Sequence, residues 1–235
     1  VADKLHNDDP AVEIVNTGLI DSVQKAMEAG HRLRQSDVDI IFLYVTTYAL
    51  SATVLPVIQR AKVPVIILNL SPESSINYEW FNNLGDRTKM TGEWLAYCSA
   101  CPVPEIANVF KRAGIRFFQI TGMVDNDTEC WNEIYQWIEA AKVANIMSHN
   151  CLGTMGHYYP GMLDIYTDLT QQIACFGGHI AIIEVDELSA LRNTVATKEI
   201  NERTAYFKNI FDIDPGCSQQ ELERAARTSL ALDQL

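Results

Sequence analysis

The sequence predicts an α/β fold composed of two Rossmann-like or flavodoxin-like domains with mainly parallel sheets. Strand and helix patterns alternate along the chain, which is typical of β–α units joined by right-handed crossovers. Two segments, 38–45 and 63–70, are almost continuously apolar, which indicates strands covered on both faces. In a third segment, 151–187, two apolar runs flank a Gly-rich turn and a helical pattern, which predicts one β–α–β unit.

In the first domain, the patterns predict four strands, at 12–15, 38–45, 63–70 and 115–121. They also predict four helices, at 21–35, 51–61, about 104–113 and 127–145. The polar segment 71–91 predicts a long loop, and loops of that length are usually functional or mobile. A junction expected at 143–148 divides the chain into a first domain of residues 1–145 and a second of residues 146–235.

The second domain is expected to open with a strand at 151–155, followed by a turn that contains Gly156 and Gly161. Apolar residues from Met162 to Phe176 recur at near-helical spacing and predict a helix. A second strand is expected at 179–186, and the rest of the domain is predicted to be helical, with segments at 188–193, 198–210 and from 218 onward. Ser218 and Glu221 have the spacing of a capping box for the last helix.

Composition excludes several classes of partner. The formal net charge is −12, and nucleic acids and anionic membranes both attract basic surfaces, so neither is expected as a partner. No apolar run approaches the roughly 18 residues of a membrane span. The polar first ten residues do not resemble a signal peptide, so we expect a cytoplasmic protein. Neither a Gly-rich nucleotide-binding motif nor the Gly-x-Ser-x-Gly elbow of esterases occurs.

The six cysteines are expected to be reduced, because no secretory signal precedes them. Cys98 and Cys101 form a C-x-x-C pair. A zinc site would require a second pair at comparable spacing, which the sequence lacks. A redox pair stays open as an alternative, although the residues before Cys98 do not have the pattern of a buried strand that leads into a redox turn.

The second domain carries the candidate polar groups. His157 follows the predicted strand and could polarise a sugar hydroxyl or carbonyl, or it could be a structural histidine held by hydrogen bonds. Glu184, Asp186 and Glu187 could bind a hard metal, or they could belong to a strand that runs out into solvent. At about 3.3 Å per residue, His179 and Glu184 lie roughly 16 Å apart, which is too far to ligate one ion.

Several motifs resemble the L-arabinose isomerase family. In the second domain these are Gly156-His-Tyr-Tyr-Pro-Gly-Met-Leu-Asp-Ile-Tyr-Thr-Asp168, Phe176-Gly-Gly-His-Ile180 and Ile183-Glu-Val-Asp-Glu-Leu188. In the first domain they are Val45-Thr-Thr-Tyr-Ala-Leu-Ser-Ala-Thr-Val-Leu-Pro56 and Val63-Pro-Val-Ile-Ile-Leu-Asn-Leu70. The order and spacing of these motifs together, from about Val12 to Leu235, carry the resemblance. Family members are longer, so the resemblance implies a fragment whose metal-binding Glu and His residues lie beyond Leu235.

The resemblance implies a metal-dependent aldose–ketose isomerase that interconverts L-arabinose and L-ribulose, with manganese as the typical metal and a hexamer as the family assembly. It places Tyr48 at a sugar-facing aromatic position and Met162 at a methionine near the substrate. The family's Gln and His of the first-domain active-site loop correspond to Cys98 and Cys101 here. Because cysteine cannot replace the hydrogen bonds of an imidazole one for one, another pentose, or a hexose such as L-fucose, stays open as the substrate.

Two functional hypotheses follow. In the first, the chain is part of a sugar isomerase, and it contributes sugar-facing and subunit-contact surfaces through Tyr48, Cys98, Cys101, His157 and Met162. This chain alone is then expected to be inactive and to hold no metal. In the second, the chain is a non-catalytic sugar-binding or sensing module that uses the cleft between its domains.

Overall fold

The computed structural model describes residues 1–156, 161–163 and 167–235. It confirms the predicted α/β fold, since helices predominate and the strands form two small parallel sheets. The chain consists of two compact units, Val1–Asn145 and Ile146–Leu235. None of the helices within the described residues combines the length and the apolar character required to cross a bilayer.

The first unit contains a three-stranded parallel sheet in the order β1–β2–β3. In chain order, its elements are α1 (Ala2–Asp8), α2 (Val23–Gln35), β1 (Ile41–Tyr44), α3 (Ser51–Ile58), β2 (Val65–Ser71), α4 (Tyr78–Asn82), α5 (Arg87–Leu95), α6 (Val103–Arg112), β3 (Phe117–Met123) and α7 (Thr128–His149). A 3₁₀ turn, Cys98–Ala100, precedes α6, and the last residues of α7 belong to the second unit.

Helices cover both faces of this sheet. Side chains alternate between the faces of a strand, and in β2 both sets are buried. Val65 and Ile67 pack in a cluster with the apolar residues of α2, α3 and α6. Ile66, Leu68 and Leu70 pack in a second cluster with α1 and α7. The continuous apolarity of the segment 63–70 therefore reports burial on two sides, as the sequence predicted.

Two expectations for the first unit are wrong. The segment 12–15 is not a strand: Val12 and Ile14 pack against the α1–α7 side of the core and Val15 against the other side, without pairing in the sheet. Its apolar pattern thus arises from side-chain packing alone. The segment 71–91 is not a continuous loop, because α4 and most of α5 lie in it. The side chains of Asn77 and Asp86 cap these two helices by accepting backbone N–H groups, and such caps allow short helices with no buried residue to form.

Within its described residues, the second unit contains a two-stranded parallel sheet and four helices that begin there. These are β4 (Cys151–Met155), α8 (Leu169–Phe176), β5 (His179–Ile183), α9 (Val185–Thr194), α10 (Thr197–Ile210) and α11 (Gln219–Leu232). The helical cluster is centred on α10 and α11, with Val195, Ile200, Ala226 and Ala231 buried. Arg203 of α10 donates hydrogen bonds to Ser229 and Asp233 at the end of α11, which fixes the two helices together.

Two element boundaries of the second unit differ from the prediction. Met162 lies outside any helix, and α8 begins after Asp168, whose carboxylate accepts the N–H groups of Thr170 and Gln171. A strong local cap therefore decides the start of the helix, rather than apolar spacing. The strand β5 ends at Ile183, and Glu184 is the N-cap of α9, so the acidic residues expected in the strand lie at the start of a helix.

Gly30 of α2 packs against the backbone of α3 at Pro56 and Val57, which gives a first prediction. A Cβ at position 30 would lie 2.2 Å from the backbone oxygen of Pro56, so Gly30→Ala must force the two helices apart. We expect a loss of about 1–3 kcal/mol in the free energy of unfolding. The measurement is urea denaturation followed by tryptophan fluorescence, because all four tryptophans lie in the first unit.

The matched control is Gly92→Ala in α5, where a Cβ would meet open space. Since alanine favours helix over glycine, this substitution should raise the free energy of unfolding by about 0.5–1 kcal/mol. Equal effects of the two substitutions would contradict the close approach of α2 and α3.

The capping box of α11 gives a second prediction. The carboxylate of Glu221 accepts the backbone N–H of Ser218, and the Ser218 hydroxyl accepts the N–H of Glu221. Ser218→Ala should accelerate hydrogen exchange in the first turn of α11 about fivefold, the equivalent of about 1 kcal/mol. Hydrogen bonds from Ser218 lower the pKa of Glu221, so acidification through the carboxyl range should likewise weaken the wild-type cap.

Ser189→Ala serves as the control, because the Ser189 hydroxyl bonds to the carbonyl of Val185 within α9 and caps no helix end. Exchange in α11 should be unchanged in this variant. If Ser218→Ala also leaves exchange in α11 unchanged, the cap contributes nothing measurable.

Candidate functional site

The candidate site is the carboxyl edge of the three-stranded sheet, where ligands bind in open parallel α/β sheets. The register pairs Tyr44 of β1 with Leu68, so β2 extends three residues beyond β1 at this edge. β3 extends with it, since Ser71 pairs with Met123. The backbone N–H of Val124 donates to the carbonyl of Ser71, which continues the ladder into the following loop. In the sheet register, the loop after β1 therefore begins three residues earlier than the loops after β2 and β3.

Tyr48 lies on the loop after β1 and is 57% exposed. Two contacts hold this loop. The hydroxyl of Thr47 donates to the carbonyl of Leu95 at 3.0 Å, and at the loop's far end Ser51 donates through both its backbone N–H and its hydroxyl to the carboxylate of Glu105. The phenol ring of Tyr48 is thus presented to solvent from a loop fixed to the segments before and after the turn at Cys98.

Cys98 and Cys101 flank that turn, three residues beyond Leu95. Cys98 is 2% exposed, whereas Cys101 is exposed, and their Sγ atoms are 4.0 Å apart. Burial, together with the neighbouring thiol, raises the pKa of Cys98. The structure therefore brings the loop of Tyr48 and the turn of the two cysteines together, and of the two thiols it presents Cys101 to solvent.

Sequence patterns did not predict a group of phenols and carboxylates at this edge. Burial and the negative charge of Asp125 raise the pKa of Tyr44, and burial with the charges of Glu73 and Glu93 raises the pKa of Tyr97. Tyr44 ends β1, while Glu73 and Asp125 each stand two residues after the end of a strand. Their position relative to the strand ends is the signal that could have found them, because parallel strands end at one common edge.

The remaining candidates belong to the second unit. Met162 is 46% exposed and stands outside the helices. His157 lies outside the described residues. Glu184, Asp186 and Glu187 occupy the N-cap and first turn of α9, where negative charge is stabilised by the helix dipole. Stabilisation of negative charge at the N-terminus of α9 therefore explains why these three carboxylates lie together.

Open grooves occur in both units, but none of the predicted site residues lines either of them. One, of about 520 Å³, is bordered by α1 and the segment 10–16. The other, of about 680 Å³, lies between α9 and α11 and includes Arg192 and Arg224. Neither groove supports the predicted sugar contacts.

The described residues offer no ligand set for manganese, the typical metal of the isomerase family. Within the part of the chain that the structure describes, no three His, Cys, Asp or Glu side chains converge on one point. A hard divalent cation requires several oxygen or imidazole ligands at about 2–2.5 Å. The described residues therefore offer surfaces for contact and no metal centre.

No protein-family model matches the chain, and the comparison with curated proteins gives no significant match. The relation to the isomerase family accordingly stays a prediction that rests on the sequence motifs.

The metal analysis gives a third prediction. In equilibrium dialysis, we expect no tight, stoichiometric Mn²⁺ binding by the 235-residue chain. Glu184→Ala should leave the dialysis result unchanged, because the Glu184 carboxylate lies at a helix start and no other described ligands converge on it. One tight Mn²⁺ site per chain that disappears in Glu184→Ala or His157→Ala would contradict this prediction.

Proposed function

We propose that this chain is part of a cytoplasmic, metal-dependent aldose–ketose isomerase that resembles L-arabinose isomerase and acts on L-arabinose or a related sugar. In this proposal the chain presents sugar-facing and subunit-contact surfaces of a self-associating enzyme. The observation that supports it most directly is that Tyr48 is exposed at the carboxyl edge of a parallel sheet, on a loop held by hydrogen bonds. The sequence motif that resembles the family contains the same residue.

The chemistry of this edge suits a sugar. A tyrosine ring offers an apolar face for the C–H groups of a pyranose or furanose, and its phenol both donates and accepts hydrogen bonds. The carboxylates of Glu73 and Asp125 are hydrogen-bond acceptors, and a sugar presents many hydroxyl donors. An uncharged, polar ligand is favoured over an anionic one, because the groups found at this edge are acidic.

The role proposed for the described residues is to bind and orient the sugar. When bound, a divalent metal supplies polarisation of the sugar carbonyl in isomerases of this kind. The described residues lack a convergent ligand set for such an ion, so no proton transfer is assigned to them. Holding the sugar in one orientation is itself a contribution to rate, since it removes rotational and translational freedom before the reaction.

A fourth prediction tests the proposal in the protein encoded by the complete reading frame that contains this chain. With Mn²⁺ present, it should convert L-arabinose to L-ribulose or act on L-fucose, as measured by ketose formation. Tyr48→Ala should raise the KM about tenfold, because a lost ring contact of about 1.4 kcal/mol corresponds to that factor.

Tyr206→Ala is the matched control, since Tyr206 is exposed to a similar extent, at 55%, but lies on α10 in the second unit. It should leave the KM unchanged. Absence of turnover on every aldose tested would overturn the isomerase proposal. Calorimetric binding of L-arabinose by the 235-residue chain, together with absence of turnover by the complete protein, would favour the sugar-binding module instead.

A further inference from the structure

In the turn at Cys98–Cys101, two free thiols lie close enough for a disulfide to form between them. The backbone N–H of Cys101 donates to the carbonyl of Cys98 at 3.1 Å, which closes a turn between residues i and i+3. Such a turn holds its end Cα atoms within about 7 Å, and disulfides bridge Cα separations of about 4.4–6.8 Å. The two Sγ atoms are already 4.0 Å apart. Side-chain rotation within the closed turn is the movement that bond formation requires.

The two thiols differ in the way that stepwise thiol–disulfide exchange requires. Cys101 is exposed and can meet a soluble disulfide, whereas Cys98 is 2% exposed and can meet little except Cys101. Cys101 also stands just before the ten-residue helix α6, whose N-terminus favours negative charge such as a thiolate. The one carboxylate of that first turn, Glu105, is engaged by Ser51.

No other pair of cysteines can do the same locally. All six cysteines lie in the described part of the chain and are free. Cys130 is buried against Gly122 in the core of the first unit, and Cys151, Cys175 and Cys217 belong to the second unit. Each of these four cysteines lies too far along the chain from the next cysteine to pair with it within a single turn.

We propose that Cys98 and Cys101 form a reversible intramolecular disulfide, with Cys101 as the attacking thiol, Cys98 as the resolving thiol and a low-molecular-weight disulfide as the oxidant. The Cys101 thiolate attacks one sulfur of the oxidant, forms a mixed disulfide and releases one thiolate. Cys98 then loses its proton and attacks Sγ of Cys101, which forms the Cys98–Cys101 bond and releases the second thiolate. The protein loses two electrons and two protons, and the oxidant becomes two thiols.

Oxidation would alter the candidate site, because the turn contacts β2 and follows Leu95, whose carbonyl accepts the hydrogen bond of Thr47. The disulfide would tie the exposed Cys101 to the buried Cys98 and fix the turn against the sheet. This inference needs only the first unit and does not depend on sugar binding, so a failure of the proposed function leaves it intact.

The test is oxidation of the whole 235-residue chain by oxidised glutathione, followed by acid quenching, alkylation of remaining thiols and peptide mass spectrometry. We expect a Cys98–Cys101 disulfide, seen as a peptide lighter by two hydrogens and not alkylated at either cysteine. In Cys98→Ser the resolving thiol is absent, so the glutathione adduct on Cys101 should accumulate at least about tenfold over wild type. In Cys101→Ser, Cys98 should stay reduced, because it is buried.

Cys217→Ser is the matched control, and it should leave the Cys98–Cys101 disulfide unchanged. A wild-type protein in which Cys101 carries stable glutathione while Cys98 is alkylated would overturn the proposal. So would disulfides that join other cysteines before this pair oxidises. Because both of these outcomes are observed in the wild-type chain, the test stands even if a serine variant fails to fold.

Discussion

The strand β2 is buried on both faces, and the first unit depends on that constraint. Fully burying an aliphatic side chain contributes about 1.5–3 kcal/mol, and Val65, Ile66, Ile67 and Leu68 are all at or below 1% exposure. Because successive residues point to opposite faces, such a strand requires apolar helices on both sides. The chain supplies α2, α3 and α6 on one side and α1 and α7 on the other. A parallel sheet with crossover helices satisfies this requirement.

The same constraint produces the candidate site. With β2 fixed between β1 and β3, the parallel register brings all three strand ends to one edge. The side chains there come from distant parts of the sequence: Tyr48 from the first crossover, Glu73 and Cys101 from the second, and Asp125 from the loop after β3. The apolar core therefore determines where these polar groups lie.

The second unit is stabilised by a different set of interactions from the first. Parallel sheets are normally covered on both faces, yet Leu152 of β4 is 53% exposed and Ile182 of β5 is 63% exposed. Among the described residues of this unit, the buried apolar ones are Val195, at the end of α9, and residues of α10 and α11. Its stability accordingly rests on helix packing, on the bonds of Arg203 and on the capping box of α11 more than on its sheet.

Local signals in the sequence determined the elements that depend on local physics. The strands at 38–45 and 63–70 were predictable because continuous apolar runs reflect burial on two faces, and α11 because Ser218 and Glu221 form a cap between neighbours in sequence. Only the tertiary structure decided the rest. The segment 12–15 is apolar yet unpaired, since apolarity reports burial and not a hydrogen-bonding partner. Spacing alone did not distinguish the buried Cys98 from the exposed Cys101, and it did not gather Tyr44, Glu73 and Asp125, because packing and register join residues that are far apart in the chain.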